Sequence, residues 1–295
     1  MASTMPAARN GRRPLPGIGR RYARYVAIGD SSTEGLEDPD ADGRYRGWAD
    51  RLAEHIARVQ QGSLSYANLA IRGRRTRAIR EQQLAPALAL GPDLATVFSG
   101  TNDVIARRFD AQAVAADMEA MQRALIGCGA TVLTFTLPDL TPVMPLARLI
   151  VPRITALNRA LRDTAQRTGA ILVDVAAYPV ASDPRLWSDD RLHANAAGHA
   201  RIAAALAHAL ELPGLDKGWS EPLAMQPPST LRQRFAAEVW WARRHLLPWL
   251  TRHARGQSSG DERRPKQPLL LPVRAPGLSP DQVAAAHDRA TDSGI

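Results

Sequence analysis

The stretch "RYVAIGDSSTEG", residues 24–35, joins a short apolar run to a turn rich in glycine, carboxylate and hydroxyl groups. Residues 25–28 are all apolar, as in a buried β-strand. Asp and Ser are common N-cap residues of helices, and Gly is a common turn residue. By itself this stretch predicts a strand that ends at Gly29 and turns into a capped helix. It leaves open whether one of the two serines takes part in chemistry.

The same alternation of strand and helix continues to about residue 212. Strands are predicted at 24–28, 64–71, 93–100, 130–137 and 170–175, and helices at 46–59, 76–90, 110–129, 146–169 and 195–212. Continuous apolar strands separated by helices are typical of a parallel sheet covered on both faces. The fold class is therefore α/β, and we expect a three-layer α/β/α sandwich around a five-stranded parallel sheet.

Three further segments flank this domain of residues 24–212. Residues 1–23 are predicted to be a basic flexible arm, and residues 257–295 a mostly irregular or disordered tail. Residues 213–256 are predicted to be a linker followed by an amphipathic helix at 230–256, a C-terminal helical extension that packs on the domain. Its tryptophans and arginines leave peripheral contact with a lipid surface as a second, less favoured interpretation.

The net charge of +9 is concentrated in the tails. Residues 1–24 contain six arginines and no acidic residue, whereas residues 25–217 contain 21 basic and 22 acidic residues. The near-zero net charge of residues 25–217 argues against a domain that binds nucleic acid, because such domains carry an excess of basic residues on their folded surface.

Several classes of protein are disfavoured by what the sequence lacks. It has no run of 18 apolar residues, so we expect no transmembrane helix, and its N-terminus has no apolar segment typical of a secretory signal. The single cysteine, Cys128, excludes an intrachain disulfide framework and a cysteine-based metal site. A cytoplasmic location is the expectation.

Four short blocks follow predicted strands or the loops after them, at 29–35 ("GDSSTEG"), 68–73 ("NLAIRG"), 100–103 ("GTND") and 190–193 ("DRLH"). In a parallel sheet the carboxyl ends of the strands lie at one edge, so these blocks can converge. In this order they resemble the blocks of the SGNH hydrolases, also called the GDSL esterase/lipase family. The resemblance covers about residues 24–212 and implies a flavodoxin-like α/β/α fold.

The resemblance also implies a role for five residues. Ser31 takes the position of the nucleophile, His193 that of the base, and Asp190 that of the carboxylate which orients the histidine. The backbone N–H groups of Ser31 and Gly73 and the side-chain amide of Asn102 would form the oxyanion hole. These residue types suit ester hydrolysis, because a serine hydroxyl needs a base to remove its proton and the tetrahedral intermediate needs hydrogen-bond donors. No metal or cofactor is implied.

Some neighbouring residues compete for these roles. Ser32 is one place too late for the nucleophile, and Asp189 has the wrong spacing to His193. Asp30 is interpreted as structural support rather than as a catalytic acid, and His199 as a helix residue that supports the site. Four arginines near the blocks either favour an anionic substrate or are simply solvated; they are Arg72, Arg74, Arg75 and Arg191.

The sequence thus predicts a serine-dependent hydrolase that acts on a small-molecule carboxylic ester through an acyl-enzyme on Ser31. The acyl-chain length and the oligomeric state stay open, with a small or medium acyl group favoured. The alternative is a non-catalytic binding module on a flavodoxin-like scaffold, which would dock on anionic partners through its basic tails.

Overall fold

The computed structural model describes residues 20–62, 64–227, 230–248, 251, 260 and 263–273. They form an α/β fold around a six-stranded, mostly parallel sheet in the order β5-β4-β3-β1-β2-β6. The strands are β1 (Arg24–Gly29), β2 (Ser65–Asn68), β3 (Leu94–Phe98), β4 (Thr131–Phe135), β5 (Ile171–Val173) and β6 (Gln267–Pro272).

Eight α-helices connect or follow these strands in the described part of the chain. They are α1 (Ser31–Glu34), α2 (Gly47–Val59), α3 (Thr76–Ala89), α4 (Thr101–Val104), α5 (Ala111–Gly127), α6 (Val151–Thr168), α7 (Ala196–Ala209) and α8 (Leu231–Trp241). Of the two four-residue helices, α1 is the capped helix predicted after Gly29, whereas α4 is not predicted by the sequence. Each directly follows a strand and a short turn, so neither is long enough to show an apolar period in the sequence.

The sheet is flanked by helices: α2 packs against α7, and α5 packs against both α3 and α6. On α2 the side chains of Trp48, Leu52 and Ile56 are fully buried. They recur at the four-residue spacing that places them on one face of the helix. The ring of Trp48 meets Phe135 at the end of β4 edge to face, with centroids 5.2 Å apart. The core therefore reaches the carboxyl ends of the strands, where the polar blocks begin.

The prediction of five strands is corrected by β6, which pairs with β2 in antiparallel orientation. This strand lies in the segment 257–295 that was predicted to be irregular. Its sequence, "QPLLLP", contains two prolines, which lack the N–H that an inner strand needs on both sides. An edge strand has one open side and tolerates proline, which is consistent with the position of β6 at the edge of the sheet beside β2. Lys266 precedes β6 and donates to Asp50 Oδ2 of α2 at 2.8 Å.

The strand order changes direction around β1, which lies between β2 and β3. Parallel α/β sheets place their binding sites at the carboxyl ends of the strands on either side of such a reversal. Here those ends are Gly29 of β1 and Phe98 of β3, which are register partners. The first and third blocks therefore start side by side.

The ordered domain begins earlier than residue 24. Tyr22 is almost completely buried, and its backbone N–H donates to Gln60 Oε1 at 2.6 Å. The backbone N–H of Ala23 donates to Asp93. The rest of the predicted arm, residues 1–19, lies outside the described residues.

Among the described side chains of helix α8, Trp241 is 5% exposed and Glu238 pairs with Arg191 of the domain. Phe235, Val239 and Trp240 are exposed, so these three side chains do not take part in the predicted packing of the helix on the domain. A π-turn at Ala242–Leu246 continues the helix. In the described part of the chain, no helix combines the length and apolar character needed to cross a bilayer.

Candidate active site

Ser31 lies at the first position of α1, two residues after the end of β1. Asp30 is the N-cap, and its Oδ1 accepts a hydrogen bond from the N–H of Ser32 at 3.0 Å. The capped turn that the local sequence predicts is therefore present. Gly29 is required before it, because a Cβ at that position would overlap the Thr33 hydroxyl and lie 2.6 Å from the carbonyl oxygen of Phe98.

Ser31, His193 and Asp190 form a continuous hydrogen-bonded chain. Ser31 Oγ lies 2.8 Å from His193 Nε2. His193 Nδ1 lies 2.6 Å from Asp190 Oδ2. The structure thus brings together a hydroxyl and an imidazole that are 162 residues apart in the sequence. This arrangement of hydroxyl, imidazole and carboxylate can move a proton from oxygen to nitrogen while the carboxylate stabilises the resulting imidazolium.

The turn at residues 188–193 is organised around the other oxygen of Asp190. Its Oδ1 accepts hydrogen bonds from the N–H of Leu192 at 2.9 Å, the N–H of His193 at 3.0 Å and the hydroxyl of Ser188 at 2.6 Å. The N–H of Ser188 donates to the carbonyl of His193 and closes the turn. Arg191, between the carboxylate and the imidazole, adopts the left-handed conformation with φ 61°. A non-glycine residue in this region costs free energy that its contacts must offset.

The carboxylate and the imidazole shift each other's pKa. Burial alone would raise the pKa of Asp190, but the hydrogen bond and charge of His193 lower it well below its usual range. Burial alone would lower the pKa of His193, but the hydrogen bond and charge of Asp190 outweigh it and raise the pKa above 6.5. The pair therefore holds Asp190 ionised and makes His193 a stronger base than a free imidazole.

Asn102, in the first turn of α4, joins the first block to the second. Its Nδ2 donates to the carbonyl of Arg74 at 3.0 Å and to Asp30 Oδ2 at 3.2 Å. Gly73 precedes Arg74 and has φ 75°, the left-handed conformation that glycine adopts without steric cost. The amide of Asn102 thus contacts the residue that directly follows Gly73.

Asp30 is buried and supports this arrangement by accepting from Ser32 and Asn102. Burial raises the pKa of its carboxyl to about 7, although the N–H of Ser32 and the charge of His193 pull the pKa down. The carboxyl does not hydrogen-bond to His193, whose two ring nitrogens face Ser31 and Asp190. This placement agrees with the interpretation of Asp30 as support.

Ser32, Asp189 and His199 lie outside the hydrogen-bonded chain. Ser32 Oγ accepts from the indole Nε1 of Trp48 at 3.2 Å, and Asp189 is exposed to solvent. His199 is fully buried; its Nδ1 accepts from the N–H of Trp48 and its Nε2 donates to the carbonyl of Leu36. Burial lowers its pKa to about 4, so His199 is neutral and ties α7 to α2 and to the loop after α1.

Three of the four arginines near the blocks are engaged by protein groups. Arg72 forms an ion pair with Glu34 of α1, Arg191 forms one with Glu238 of α8, and Arg74 donates to the carbonyl of Gly260. These contacts explain the arginines without an anionic substrate. Arg75 is exposed.

Two supporting residues were not found by the sequence reasoning. Gln83 of α3 is buried and bonds both backbone groups of Gly29, and Trp241 of α8 donates to the carbonyl of Asp190 at 3.2 Å. Neither belongs to a motif, and each lies about 50 residues from its partner. The local sequence offers one indication of the role of Gln83: it lies four residues after Ile79, on the face of α3 whose other residues are buried.

A mostly apolar cavity of about 90 Å³ opens at Ser31 and His193. That volume is several times the ~10–15 Å³ that one water molecule needs. The cavity runs between the ends of β3 and β4, the turns at residues 175–187 and helix α7. Its apolar walls include Phe98, Phe135, Leu140, Val180, Ile202 and Trp219. Such a space suits the hydrocarbon part of a ligand whose polar end lies at Ser31.

Trp219 lies at the start of the C-terminal extension and is packed edge to face on Tyr178, with centroids 4.6 Å apart. Arg201 of α7 holds this segment by donating to the carbonyls of Trp219 and Glu221, each at 2.7 Å. The extension therefore contributes one wall of the cavity. Within the described residues, no group of three or more His, Cys, Asp or Glu side chains is placed to hold a metal ion.

Solved structures with a similar fold include several hydrolases. An α/β hydrolase enzyme from the metagenome of Lake Arreo shares 22% identity, with 68% of this chain and 99% of that chain covered and a TM-score of 0.56. A putative GDSL-like lipase from Parabacteroides merdae shares 17% identity, with 65% and 97% covered and a TM-score of 0.57. An acetylxylan esterase from Geobacillus stearothermophilus shares 17% identity, with 68% and 96% covered and a TM-score of 0.54. At these identities the similarity shows the fold.

No curated protein matches the chain significantly. A family model does match it: the model of the GDSL-like lipase/acylhydrolase family aligns with residues 27–201, more than half of the chain. That range includes the second half of β1, all of β2 to β5 and all five residues of the sequence-based prediction. With the α/β fold and the hydrogen-bonded Ser31, His193 and Asp190 already described, this match shows that the chain is a hydrolase of the GDSL-like lipase/acylhydrolase family.

Proposed function

We propose that the chain hydrolyses a carboxylic ester through an acyl-enzyme on Ser31. The observation that carries this proposal is the hydrogen-bonded chain from Ser31 Oγ through His193 to Asp190. His193 Nε2 lies 2.8 Å from the hydroxyl oxygen of Ser31, and His193 Nδ1 lies 2.6 Å from the carboxylate of Asp190. In this position the imidazole can remove the proton of Ser31 and make the hydroxyl a nucleophile.

In the acylation step, Ser31 Oγ attacks the ester carbonyl carbon while His193 Nε2 takes the hydroxyl proton. The carbonyl π electrons move to oxygen and form a tetrahedral oxyanion. The C–O bond to the alcohol then breaks, and His193 gives its proton to the departing alkoxide. Asp190 stays ionised throughout, because its lowered pKa keeps it a carboxylate beside the imidazolium.

In the deacylation step, water replaces the alcohol. His193 removes a proton from water as the oxygen attacks the acyl carbon, and the second tetrahedral intermediate collapses by breaking the bond to Ser31 Oγ. The proton on His193 returns to Ser31, so the products are a carboxylic acid and the regenerated hydroxyl. In both halves of the reaction His193 Nε2 takes and returns the proton, while Nδ1 stays bonded to Asp190.

The oxyanion is proposed to be held by the N–H groups of Ser31 and Gly73 and by the amide of Asn102. The two hydrogens of the Asn102 amide already face Arg74 and Asp30. The bond to Asp30 is the longer of the two, so Asn102 would share or exchange this hydrogen when the oxyanion forms. A buried Asp30 whose pKa is about 7 gives up that bond readily, because it is partly protonated at neutral pH.

The substrate is proposed to be a small or medium acyl ester. Its acyl chain would occupy the apolar cavity beside Ser31, whose far walls include Ile202 and Trp219. Burying each methylene there contributes ~0.8 kcal/mol, which favours chains that fill the cavity without exceeding it. The alcohol part would face the open side of the site.

The test is hydrolysis of p-nitrophenyl esters of increasing acyl length by wild type and by the variants S31A, H193A and S32A. We expect S31A and H193A to lose on the order of 10³-fold or more in kcat/KM. S32A is the matched control, since it removes the neighbouring hydroxyl and one hydrogen bond to Trp48. Wild type that is inactive at every chain length and does not react with a fluorophosphonate probe would overturn the proposal.

A further inference from the structure

Helix α8 lies outside the region that matches the family model, residues 27–201, yet it contacts the turn that holds Asp190 and His193. We propose that Trp241 and Glu238 of this helix are positioning residues, which hold that turn in the geometry that aligns His193 with Ser31. The inference rests on the proposed function for its kinetic consequences, but its structural content can be tested without activity.

The first contact is a hydrogen bond to the backbone. The indole Nε1 of Trp241 donates to the carbonyl oxygen of Asp190 at 3.2 Å, and the Trp241 side chain is buried. This carbonyl belongs to the peptide between Asp190 and Arg191. The N–H of the same peptide, that of Arg191, donates to the carbonyl of Ser188 at 3.0 Å, so Trp241 holds a peptide plane inside the turn. The next two N–H groups, of Leu192 and His193, point at Asp190 Oδ1.

The second contact holds the side chain of Arg191. Its Nη1 pairs with Glu238 Oε2 at 2.8 Å, and its guanidinium lies over the ring of Trp241 at 4.8 Å from the centroid. The side chain of Arg191 is only 15% exposed, so the cation is largely removed from water between two groups of one helix. A guanidinium that stacks on an aromatic ring and pairs with a carboxylate is held in one orientation.

These contacts bear on the strained residue of the turn. Arg191 has φ 61°, and a rotation of its backbone toward the ordinary region would turn the Asp190 carbonyl away from Trp241. The contacts to Trp241 and Glu238 therefore oppose relaxation of the turn. Asp190 Oδ1 accepts from N–H groups of the turn, and Oδ2 is bonded to His193 Nδ1. A change in the backbone of the turn would therefore also lengthen the hydrogen bond between Asp190 and the imidazole.

A merely structural role for α8 would predict something different. It would lower the stability of the fold and the fraction of active molecules without altering the environment of His193. A positioning role changes His193 itself: with a weaker bond to Asp190, its raised pKa falls, and so does the rate of attack by Ser31. The pH profile of kcat/KM separates the two.

The experiment compares W241F, E238Q and the control W240F with wild type. W241F keeps an aromatic ring for Arg191 but removes the indole N–H that donates to the Asp190 carbonyl. E238Q keeps a polar side chain but removes the negative charge. Because Glu238 is half-exposed, this substitution does not threaten folding. Trp240 is the exposed neighbour on the same helix, packed on His245 and not on the turn. We expect W241F and E238Q to lower kcat by roughly 3- to 30-fold, to shift the acid limb to lower pH, and to leave KM nearly unchanged, with W240F equal to wild type.

A second readout needs no substrate. The proton on His193 Nδ1, held between that nitrogen and Asp190 Oδ2, should give a downfield proton NMR signal whose exchange with water is faster in W241F and E238Q than in W240F. Unchanged exchange and an unchanged acid limb in both variants would overturn the positioning role. If wild type gives the His193 Nδ1 signal with slow exchange but hydrolyses no ester, the proposed function is contradicted. The positioning role is then decided by the comparison of proton exchange among the variants.

Discussion

The side-chain amide of Gln83 pairs with both backbone groups of Gly29: its Oε1 accepts from the Gly29 N–H at 2.8 Å, and its Nε2 donates to the Gly29 carbonyl at 2.9 Å. Gln83 comes from α3, and Gly29 is the last residue of β1, two positions before Ser31. A buried helix side chain thus satisfies the backbone at the point where the strand becomes the turn. The pair therefore holds the end of β1 next to the turn that presents Ser31.

The variant Q83L should destabilise the fold and reduce activity together. Leucine has a similar volume but removes the acceptor of the Gly29 N–H, and it leaves the Gly29 carbonyl with only the longer bond from the N–H of Ile71 at 3.3 Å; the loss costs roughly 1–3 kcal/mol. Urea unfolding measures the loss, and kcat on a short-chain ester should fall several-fold because the turn shifts. Q82L, at the adjacent exposed position of α3, is the control; equal stability of the two variants would contradict the role of Gln83.

Activity should fall as the pH drops through the raised pKa of His193. His193 must be neutral to accept the proton of Ser31, and Asp190 raises the pKa of the imidazole above 6.5, so the acid limb of kcat/KM should lie above pH 6.5. D190N removes the charge and the acceptor that raise this pKa. Its residual activity should show an acid limb at lower pH, measured over a range of buffers at constant ionic strength; a limb that stays in place in D190N would contradict the assignment.

N102A should reduce kcat far more than it alters KM. An oxyanion donor acts mainly in the transition state, and losing one typically costs about 10²–10³-fold in rate. The substitution also frees Asp30 Oδ2 and the carbonyl of Arg74, so a modest loss of stability is expected. Steady-state kinetics with a thermal melt checks both; a variant with near wild-type kcat would exclude Asn102 from the oxyanion hole.

W219A should shift the preference toward longer acyl chains. Trp219 walls the apolar cavity and packs on Tyr178, so its removal lengthens the space available beyond Ser31. We expect the optimum of an acyl-length series to move up by about two or more methylenes, each worth ~0.8 kcal/mol when buried. W187A, which alters another part of the same cavity wall, provides the comparison, and an unchanged optimum in W219A would show that the chain binds elsewhere.

Asp30 should make the stability of the fold depend on pH. Burial raises the pKa of its carboxyl from 3.8 to about 7, so between these values the folded chain keeps a proton that the unfolded chain has lost. The free energy of unfolding therefore falls as the pH rises from about 4 to 7, and D30N lacks this contribution. The difference in unfolding free energy, wild type minus D30N, should be roughly 1–3 kcal/mol larger at pH 4 than at pH 8. Urea titrations at the two pH values measure it, and a difference independent of pH would contradict the raised pKa.

The alternation of strands and helices was predictable because each element of the domain carries its own period of apolar residues. The predicted strands at 24–28 and 93–100 correspond to β1 and β3, and their order along the chain let the polar blocks be assigned to one edge of the sheet. The four blocks also indicated which serine and which aspartate to choose. Ser31 and Asp190 both lie in the hydrogen-bonded chain, whereas Ser32 and Asp189 do not.

The sequence by itself determined the α/β class, and through the family resemblance it predicted the five residues of the candidate site, because apolar periods and short motifs lie in neighbouring residues. Only the tertiary structure decided which distant groups support that site: Gln83 at Gly29, Trp241 at the carbonyl of Asp190, and β6 at the free edge of β2. Each of these contacts joins segments 50 or more residues apart, so no local pattern encodes it. Tertiary packing decides which groups form these contacts, because it brings a hydrogen-bond donor and an otherwise unsatisfied acceptor together in the same buried place.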